Sequence, residues 1–104
     1  MYAIVDIETT GGHASANGIT EIAIYLFDGR EITQHYQTLV NPRVPIPYYI
    51  ESLTGITNSM VAEAPPFEAV APMIYNLLHD RIFVAHNVNF DYSFIKHHLA
   101  AAGY

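Results

Sequence analysis

The hydrophobic positions of the chain predict four β-strands. Tyr2 to Ile7 is almost continuously apolar, which is typical of a central strand that is covered on both faces. Ile19 to Asp28 carries apolar residues on both faces and predicts a second buried strand. After the tight turn that an Asp-Gly pair indicates, the many polar residues of Glu31 to Val40 predict an edge strand. Arg81 to His86 predicts a further short buried strand.

The remaining apolar spacing predicts three helices. Pro47 can open a short helix, which Gly55 closes. Apolar residues three and four apart from Phe67 to Leu78 predict a longer helix, and Pro72 within it predicts a late start or a kink. The last helix is predicted to start near Asn89. Three strands, then helices, a strand and a helix indicate an α/β domain whose first and fourth strands are central and parallel.

Three acidic residues are candidates for a metal site. Asp6 and Glu8 point to the same face of the first strand, because residues two apart in a strand share a face. Charges in an apolar strand are costly unless they are compensated, and hard cations such as Mg²⁺ or Mn²⁺ prefer carboxylate oxygens. Asp91 lies in the first turn of the last helix, where its charge suits the positive helix end. If the first and fourth strands are parallel neighbours, three carboxylates meet at one point, which predicts two metal ions about 3.5–4 Å apart.

Composition narrows the class of protein. The chain has 104 residues, 51% of them hydrophobic, which predicts one small folded domain rather than disorder. It has no cysteine, which excludes disulfides, thiolate zinc sites and cysteine nucleophiles. A formal charge of −6 with four lysines and arginines is unlike a protein that coats DNA and predicts weak affinity for duplex, but it does not exclude a nuclease that grips a strand end through metal ions. Without a secretory signal pattern or a run of membrane length, we expect a cytoplasmic protein with no membrane partner.

Three segments resemble the motifs of a known family. Residues 6–11, Asp-Ile-Glu-Thr-Thr-Gly, resemble the first exonuclease motif of the DEDD-family (DnaQ-like) 3′→5′ exonucleases, which include the proofreading epsilon subunit of bacterial DNA polymerase III. Residues 84–91, Val-Ala-His-Asn-Val-Asn-Phe-Asp, resemble the second motif, and residues 54–57 resemble the His-Gly-Ile-Thr segment between them. The resemblance covers essentially the whole chain. It implies a ribonuclease H-like mixed sheet, an antiparallel three-strand meander plus a parallel strand, with flanking helices.

The resemblance also implies an activity and residue roles. The chain would be a metal-dependent 3′→5′ exonuclease that hydrolyses terminal phosphodiesters at a single-stranded 3′ end, with DNA favoured over RNA and a DNA polymerase subunit as a further partner. Asp6, Glu8 and Asp91 would be the catalytic acids and would hold two Mg²⁺ or Mn²⁺ ions. The implied substrate-binding residues are Thr9, Thr10, Asn87 and Phe90. Thr54 stands where many members carry histidine, which bears on any sugar contact made there.

The third motif of the family is absent from residues 1–104. That motif supplies a fourth acid, with a histidine or tyrosine a few residues before it, and no acid follows Asp91. We therefore predict that residues 1–104 are the N-terminal part of an exonuclease domain, truncated at its C-terminus, which lacks its general base and has little or no activity. Such a truncation should expose apolar surface on the helix that carries Phe94, Ile95 and Leu99 and on the sheet beside Phe83, so we also expect a homodimer.

Other interpretations stay open at this point. A phosphatase of the haloacid dehalogenase type carries a strand-end Asp-x-Asp that the first-strand acids could resemble, although its downstream lysine and further acids have no evident counterpart. A non-catalytic nucleic-acid or polymerase-interaction module would keep the fold without turnover. We interpret His97 and His98 as surface or boundary residues, with a role as the missing base as the lesser alternative. Tyr48 and Tyr49 are interpreted as packing residues, with stacking on a terminal base as the lesser alternative.

Overall fold

The computed structural model describes every residue from 1 to 104, as four strands and four helices. The strands are β1 (Tyr2–Thr9), β2 (Ile19–Phe27), β3 (Ile32–Leu39) and β4 (Ile82–Val84). The helices are α1 (Tyr48–Thr54), α2 (Asn58–Val61), α3 (Phe67–Leu78) and α4 (Val88–Ala101). Each predicted element is present, and α2 is an additional turn of helix that the apolar spacing does not predict.

The four strands form one mixed sheet in the order β3-β2-β1-β4. β1 pairs antiparallel with β2, and β2 pairs antiparallel with β3, which confirms the predicted meander. β4 pairs parallel with β1 over three residues only, with Tyr2 opposite Ile82 and Ile4 opposite Val84. The prediction that β4 is central is wrong, because this short strand forms the edge of the sheet. β1 is central as predicted, and the parallel pairing puts its carboxyl end on the same side of the sheet as that of β4.

Helices cover only one face of the sheet. Ala3, Val5 and Ile7 of β1 are buried in a core that includes residues of α3 and α4. On the opposite face of β1, Asp6 is exposed. The prediction that β1 is covered on both faces is therefore wrong. β4 is also less buried than predicted, since Ile82 is 58% accessible. The open face of the sheet is the face that carries the two N-terminal acids.

The two long helices pack across the covered face. α3 begins at Phe67, directly after two prolines, and continues through Pro72, so the predicted late start is not observed. α4 begins at Val88, one residue before the predicted start. It buries Phe94 and Ile95 in the core, so the prediction that these two side chains are exposed is wrong. None of the helices combines the length and the hydrophobicity that a membrane span needs.

A small second cluster holds α1 and α2 beside the sheet. Ile46, Ile56 and Val61 form this cluster. The Asn58 side chain accepts a hydrogen bond from the Ile46 N–H at 2.8 Å and donates one to the Ile46 carbonyl at 3.0 Å. Gly55 ends α1 at φ 77°, a left-handed conformation that glycine adopts without steric cost. α1 itself contains no buried residue, and its Glu51 carboxylate accepts the Asn58 N–H at 2.7 Å, which ties α1 to α2.

Candidate active site

Acidic side chains gather on the open face near the end of β1. Asp6 is exposed and Glu8 is half-buried, and both lie on this face, as the period of the strand predicts. Glu21 of β2 lies directly opposite Glu8 in the antiparallel register. The Glu21 carboxylate accepts a hydrogen bond from the Gln37 side chain at 3.2 Å. Two neighbouring strands therefore contribute negative charge to the same region.

α4 brings a further acid to this end of β1. Asp91 lies in the first turn of α4, and only 6% of its surface is accessible. The pairing of β4 with β1 ends at Ile4, beyond which the edge of β1 is free. The backbone N–H of Ile7 in this free segment stabilises the carboxylate of Asp91. The placement of Asp91 beside β1 is the one that a parallel β1–β4 pair predicts.

Burial and mutual repulsion raise the pKa of two of these acids. The pKa of Glu8 is raised first by burial and then by the negative charges of Asp6, Glu21 and Asp91. The pKa of Asp91 is raised chiefly by burial and further by Asp6, while a backbone N–H and the neighbouring His86 act in the opposite direction. No lysine or arginine forms an ion pair with any of these acids. The region thus concentrates negative charge without an opposing fixed cation.

The acids interact electrostatically, but they do not form a preformed metal site. No three histidine, cysteine or acidic side chains come together closely enough to hold a metal ion. The expectation that Asp6, Glu8 and Asp91 hold metal ions together therefore stays a prediction. The chemistry of the donor set nevertheless fits a hard divalent cation, because Asp6, Glu8 and Asp91 offer carboxylate oxygens at one end of the sheet.

Asp91→Asn is expected to stabilise the chain at neutral pH without divalent ions. The raised pKa of Asp91 means that the folded state keeps this proton to a higher pH than the unfolded state does. The contribution of Asp91 to the unfolding free energy therefore falls as the pH rises from the ordinary aspartate value through the folded pKa. We expect Asp91→Asn to raise the melting temperature by about 5 °C at pH 7, with little change at pH 3.

Thermal unfolding in a chelator, followed from pH 3 to pH 8, measures this effect. Asp80→Asn is the matched control, because the Asp80 side chain is 87% accessible and should not change the melting temperature by this route. An Asp91→Asn variant that melts below the wild-type chain at pH 7 contradicts the electrostatic interpretation.

β1 continues into a segment that we call the glycine loop, residues 10–18. The Thr9 hydroxyl donates to the Gly11 carbonyl at 2.8 Å. Thr10 is 2% accessible, and its hydroxyl donates to Asn17 Oδ1 at 2.9 Å and accepts from the Gly18 N–H at 3.2 Å. The Thr10 side chain is thus fully engaged inside the loop, which favours a supporting role over a direct contact with substrate.

An open pocket of about 270 Å³ lies beside Glu8. Tyr49 and Leu53, which border it, are 67% and 79% accessible. Tyr48 is also exposed, so the interpretation of Tyr48 and Tyr49 as packing residues is wrong. Leu53 is a pocket residue that the sequence pattern does not single out, although two large side chains four apart on one short helix share a face. The pocket is lined by Ile7, Glu8, Thr9, Gly11, Gly12, Tyr49, Ile50, Leu53, Thr54 and Phe90.

The start of α4 joins the pocket to the acids. Asn87 is exposed, and its backbone carbonyl accepts the Asp91 N–H at 3.1 Å in the first turn. The Asn87 side chain makes no capping hydrogen bond and is free to meet a ligand. Phe90 lines the pocket and packs on Phe94, with ring centroids 5.0 Å apart. The turn therefore presents Asp91 and Phe90 together.

The two adjacent histidines lie at the other end of α4. His97 is exposed, whereas His98 is half-buried and its Nε2 lies 3.1 Å from the Asn17 carbonyl oxygen. Burial lowers the pKa of His98 below its ordinary value. His98 follows Asp91 by seven positions in the helix, which is about 10 Å along the axis. The structure gives neither histidine the position of a base beside the acids.

Comparison with known proteins assigns the family. The family model RNase_T, described as exonuclease, matches residues 3–104. The 3′-5′ exonuclease DinG of Bacillus subtilis (strain 168) is 41% identical over 104 residues, which cover 99% of this chain and 11% of that protein. The protein of the same name from Staphylococcus haemolyticus (strain JCSC1435) is 42% identical over 95 residues, which cover 91% of this chain and 11% of that protein. The chain thus spans about a ninth of the length of these relatives.

Solved structures show the same fold. Exonuclease X in complex with 5′ overhanging duplex DNA matches with a TM-score of 0.79 and 35% identity, over 91% of this chain and 54% of that chain. Product-bound exonuclease I matches with a TM-score of 0.88 over 99% of this chain and 26% of that chain; at 19% identity this likeness concerns the fold alone. The predicted ribonuclease H-like mixed sheet and the resemblance to the DnaQ-like exonucleases are confirmed, and the chain belongs to the RNase_T family of exonucleases.

Proposed function

We propose that this chain carries the first two motifs of a divalent-metal-dependent exonuclease site that hydrolyses the terminal phosphodiester at a 3′ end. One observation carries the proposal. Asp6, Glu8 and Asp91 lie at one end of the sheet, where Glu8 lines a pocket, and burial and mutual repulsion raise the pKa of Glu8 and Asp91, with no basic side chain to compensate. Relatives named 3′-5′ exonuclease support the direction of hydrolysis.

The acids would hold two Mg²⁺ or Mn²⁺ ions. Such ions, when bound, neutralise charge on a phosphodiester and lower the pKa of a water molecule. Asp6 is the most exposed of the three acids and faces the open side of the sheet, where a phosphate can approach. Asp91 lies in the first turn of α4, near enough to Asp6 for the charge of Asp6 to raise its pKa. Asn87 and Phe90 shape the turn that presents Asp91.

The pocket beside Glu8 would take the terminal nucleotide. Thr9 and the two glycines form a wall without bulky side chains, so a sugar and phosphate can lie close to the backbone. Tyr49, Leu53 and Phe90 offer apolar surface on which a base can stack. Thr10 would support this wall from inside the glycine loop.

The preference for DNA over RNA is part of the proposal. The Thr54 hydroxyl donates to the Ile50 carbonyl at 2.9 Å and accepts from the Ile56 N–H at 3.1 Å. It is therefore engaged within its own helix end and has no free hydrogen to offer a sugar hydroxyl. The complex of exonuclease X with duplex DNA, a protein 35% identical to this chain, supports the same preference. A single-stranded 3′ end is the proposed form of the substrate.

Several further parts of the proposal concern the protein as a whole. Residues 1–104 are the N-terminal part of an exonuclease domain whose third motif supplies the fourth acid and the general base, so these residues alone should be nearly inactive. The open apolar face around Tyr2 and Ile82 favours association into a homodimer. We also propose that the protein has a DNA polymerase subunit as a partner and that it is cytoplasmic.

Divalent-ion binding tests the proposed site in residues 1–104. We expect weak Mn²⁺ binding by calorimetric titration, and we expect Asp6→Ala to abolish it because a central oxygen ligand is lost. Glu63→Ala, which removes another exposed acid far from the site in sequence, is the matched control and should bind as the wild-type chain does.

Three measurements separate the proposed exonuclease from the alternatives. Binding that survives Asp6→Ala removes the proposed site. Equal binding of a single-stranded DNA end with Mn²⁺ and with a chelator contradicts the enzymatic proposal and favours the non-catalytic module. Release of phosphate from a small phosphomonoester would favour the phosphatase, which the family assignment makes the weaker alternative.

A further inference from the structure

The glycine loop is closed on itself by one side chain, that of Asn17. Its Oδ1 accepts the Thr10 hydroxyl at 2.9 Å, and its Nδ2 donates to the His13 carbonyl at 2.9 Å. The Thr10 N–H also donates to the Gly18 carbonyl at 3.0 Å, which brings the two ends of the loop together. One amide thus bridges the beginning and the middle of the loop.

The Asn17 amide also lies directly against the backbone of Gly11. A Cβ at Gly11 would come within 2.5 Å of Asn17 Oδ1, a separation that no side chain tolerates. Gly11 and Gly12 form one wall of the pocket beside Glu8. The Asn17 side chain therefore supports the chain segment that forms this wall.

His98 holds Asn17 from α4. The backbone carbonyl of Asn17 can only accept a hydrogen bond, so His98 Nε2, 3.1 Å away, is the donor. The imidazole lies between Phe67 and Phe94, with ring centroids 5.5 Å and 6.1 Å away, which fixes its direction. The same helix carries Asp91 in its first turn and His98 near its end. A single rigid helix thus contacts both the acid region and the glycine loop.

The hydrogen bond from His98 to Asn17 does not depend on the charge of the imidazole. His97 presents its ring edge-on at 5.1 Å. Arg43 and Glu68 border the cleft next to His98 and form an ion pair with each other. Nε2 carries a hydrogen in one neutral tautomer and in the protonated imidazole, so the donor persists in both charge states.

We infer that His98 and Asn17 are positioning residues for the pocket beside Glu8: His98 fixes Asn17, and Asn17 holds the Gly11–Gly12 wall against which the terminal nucleotide lies. The inference rests on the proposed function for its ligand, while the support of the loop itself rests only on the contacts described. Neither residue touches the reacting atoms. Their effect is to hold the wall at a fixed distance from the acids that α4 and β1 carry.

Two substitutions at His98 separate the hydrogen bond from packing. His98→Phe keeps an aromatic ring between Phe67 and Phe94 but removes the donor. His98→Gln restores an N–H donor at a similar reach from the backbone. His97→Phe is the matched control, because His97 is the exposed neighbour on the same helix and makes no hydrogen bond to the loop. Asn17→Ala removes the side-chain hydrogen bonds to Thr10 and His13 and should weaken the glycine loop in the same way.

Amide hydrogen exchange of residues 1–104 measures support of the loop. We expect His98→Phe and Asn17→Ala to speed exchange at the Thr10 and Gly18 amides by about three- to tenfold, as the loss of one hydrogen bond predicts. His98→Gln should restore rates close to those of the wild-type chain, and amides in β2 should not change. Unchanged exchange at Gly18 in His98→Phe, or equal acceleration in His97→Phe, overturns the inference.

Binding of thymidine 5′-monophosphate with Mn²⁺, followed by NMR titration, measures the consequence for the pocket. We expect the dissociation constant to rise about three- to tenfold in His98→Phe and to recover in His98→Gln. Faster loop exchange with an unchanged dissociation constant overturns the positioning role. A wild-type chain that binds no nucleotide contradicts the proposed function instead, and the exchange rates then decide the loop support by themselves.

Discussion

A longer chain that continues from Tyr104 through a third motif is expected to digest single-stranded DNA from the 3′ end at least about 10³-fold faster than residues 1–104 do. Residues that act as one catalytic unit are strongly non-additive, so loss of the base and the fourth acid removes most of the rate. Residues 1–104 supply Asp6, Glu8 and Asp91 and the pocket, but no acid follows Asp91. Release of mononucleotides from a 5′-labelled strand measures both rates.

Asp6→Ala in the longer chain is the control for this comparison. It should reduce the rate to that of residues 1–104, because the same set of acids is broken in both. Robust metal-dependent digestion by residues 1–104, absent in their own Asp6→Ala variant, contradicts the proposal that the third motif is required.

Tyr49→Ala is expected to weaken binding of the terminal nucleotide about tenfold or more. Stacking of a base on an aromatic side chain contributes about 1–3 kcal/mol, and Tyr49 lines the pocket while remaining 67% accessible. α1 has no buried residue, so the loss should not unfold the chain. The Michaelis constant of the longer chain for short single strands measures the effect.

Tyr48→Ala is the matched control for Tyr49. Tyr48 is the preceding residue of α1, is 82% accessible and does not line the pocket. Equal effects of the two substitutions would assign the loss to α1 in general and would contradict base stacking at Tyr49.

The fold follows from local patterns to a large extent. The alternation of apolar residues in β2 and the Asp-Gly turn after it predict the meander, and the period of two places Asp6 and Glu8 on one face. The placement of Asp91 near the end of β1 is predicted from its position in the first turn of a helix that follows a parallel strand. These features depend on short stretches of sequence, which is why they are predictable from sequence alone.

Burial and strand order are less predictable. The apolar run of β1 indicates cover on both faces, yet helices pack on one face only, because the apolar content of a strand does not show which neighbours it has. β4 has the composition of a buried strand but lies at the sheet edge, with Ile82 58% accessible. The accessible tyrosines of α1 likewise depend on where the cluster of Ile46, Ile56 and Val61 places that helix.

The support of the glycine loop depends on tertiary contacts. Asn17 and His98 are 81 positions apart, and no local pattern joins them. The adjacent histidines differ only in the side of α4 on which they lie, so the sequence does not show which one is buried. The close approach of the Asn17 side chain to Gly11 is likewise visible only in the folded loop.

Paramagnetic line broadening by Mn²⁺ in the NMR spectrum of residues 1–104 tests the central claim most directly. The proposed site predicts that substoichiometric Mn²⁺ broadens the backbone amide signals of Asp6, Glu8 and Asp91 first, and that Asp6→Ala removes this broadening. Signals of the turn between β2 and β3, which lies at the opposite end of the sheet from Glu8, should broaden last. Broadening that centres elsewhere, or that Asp6→Ala leaves unchanged, contradicts a metal site at this end of β1.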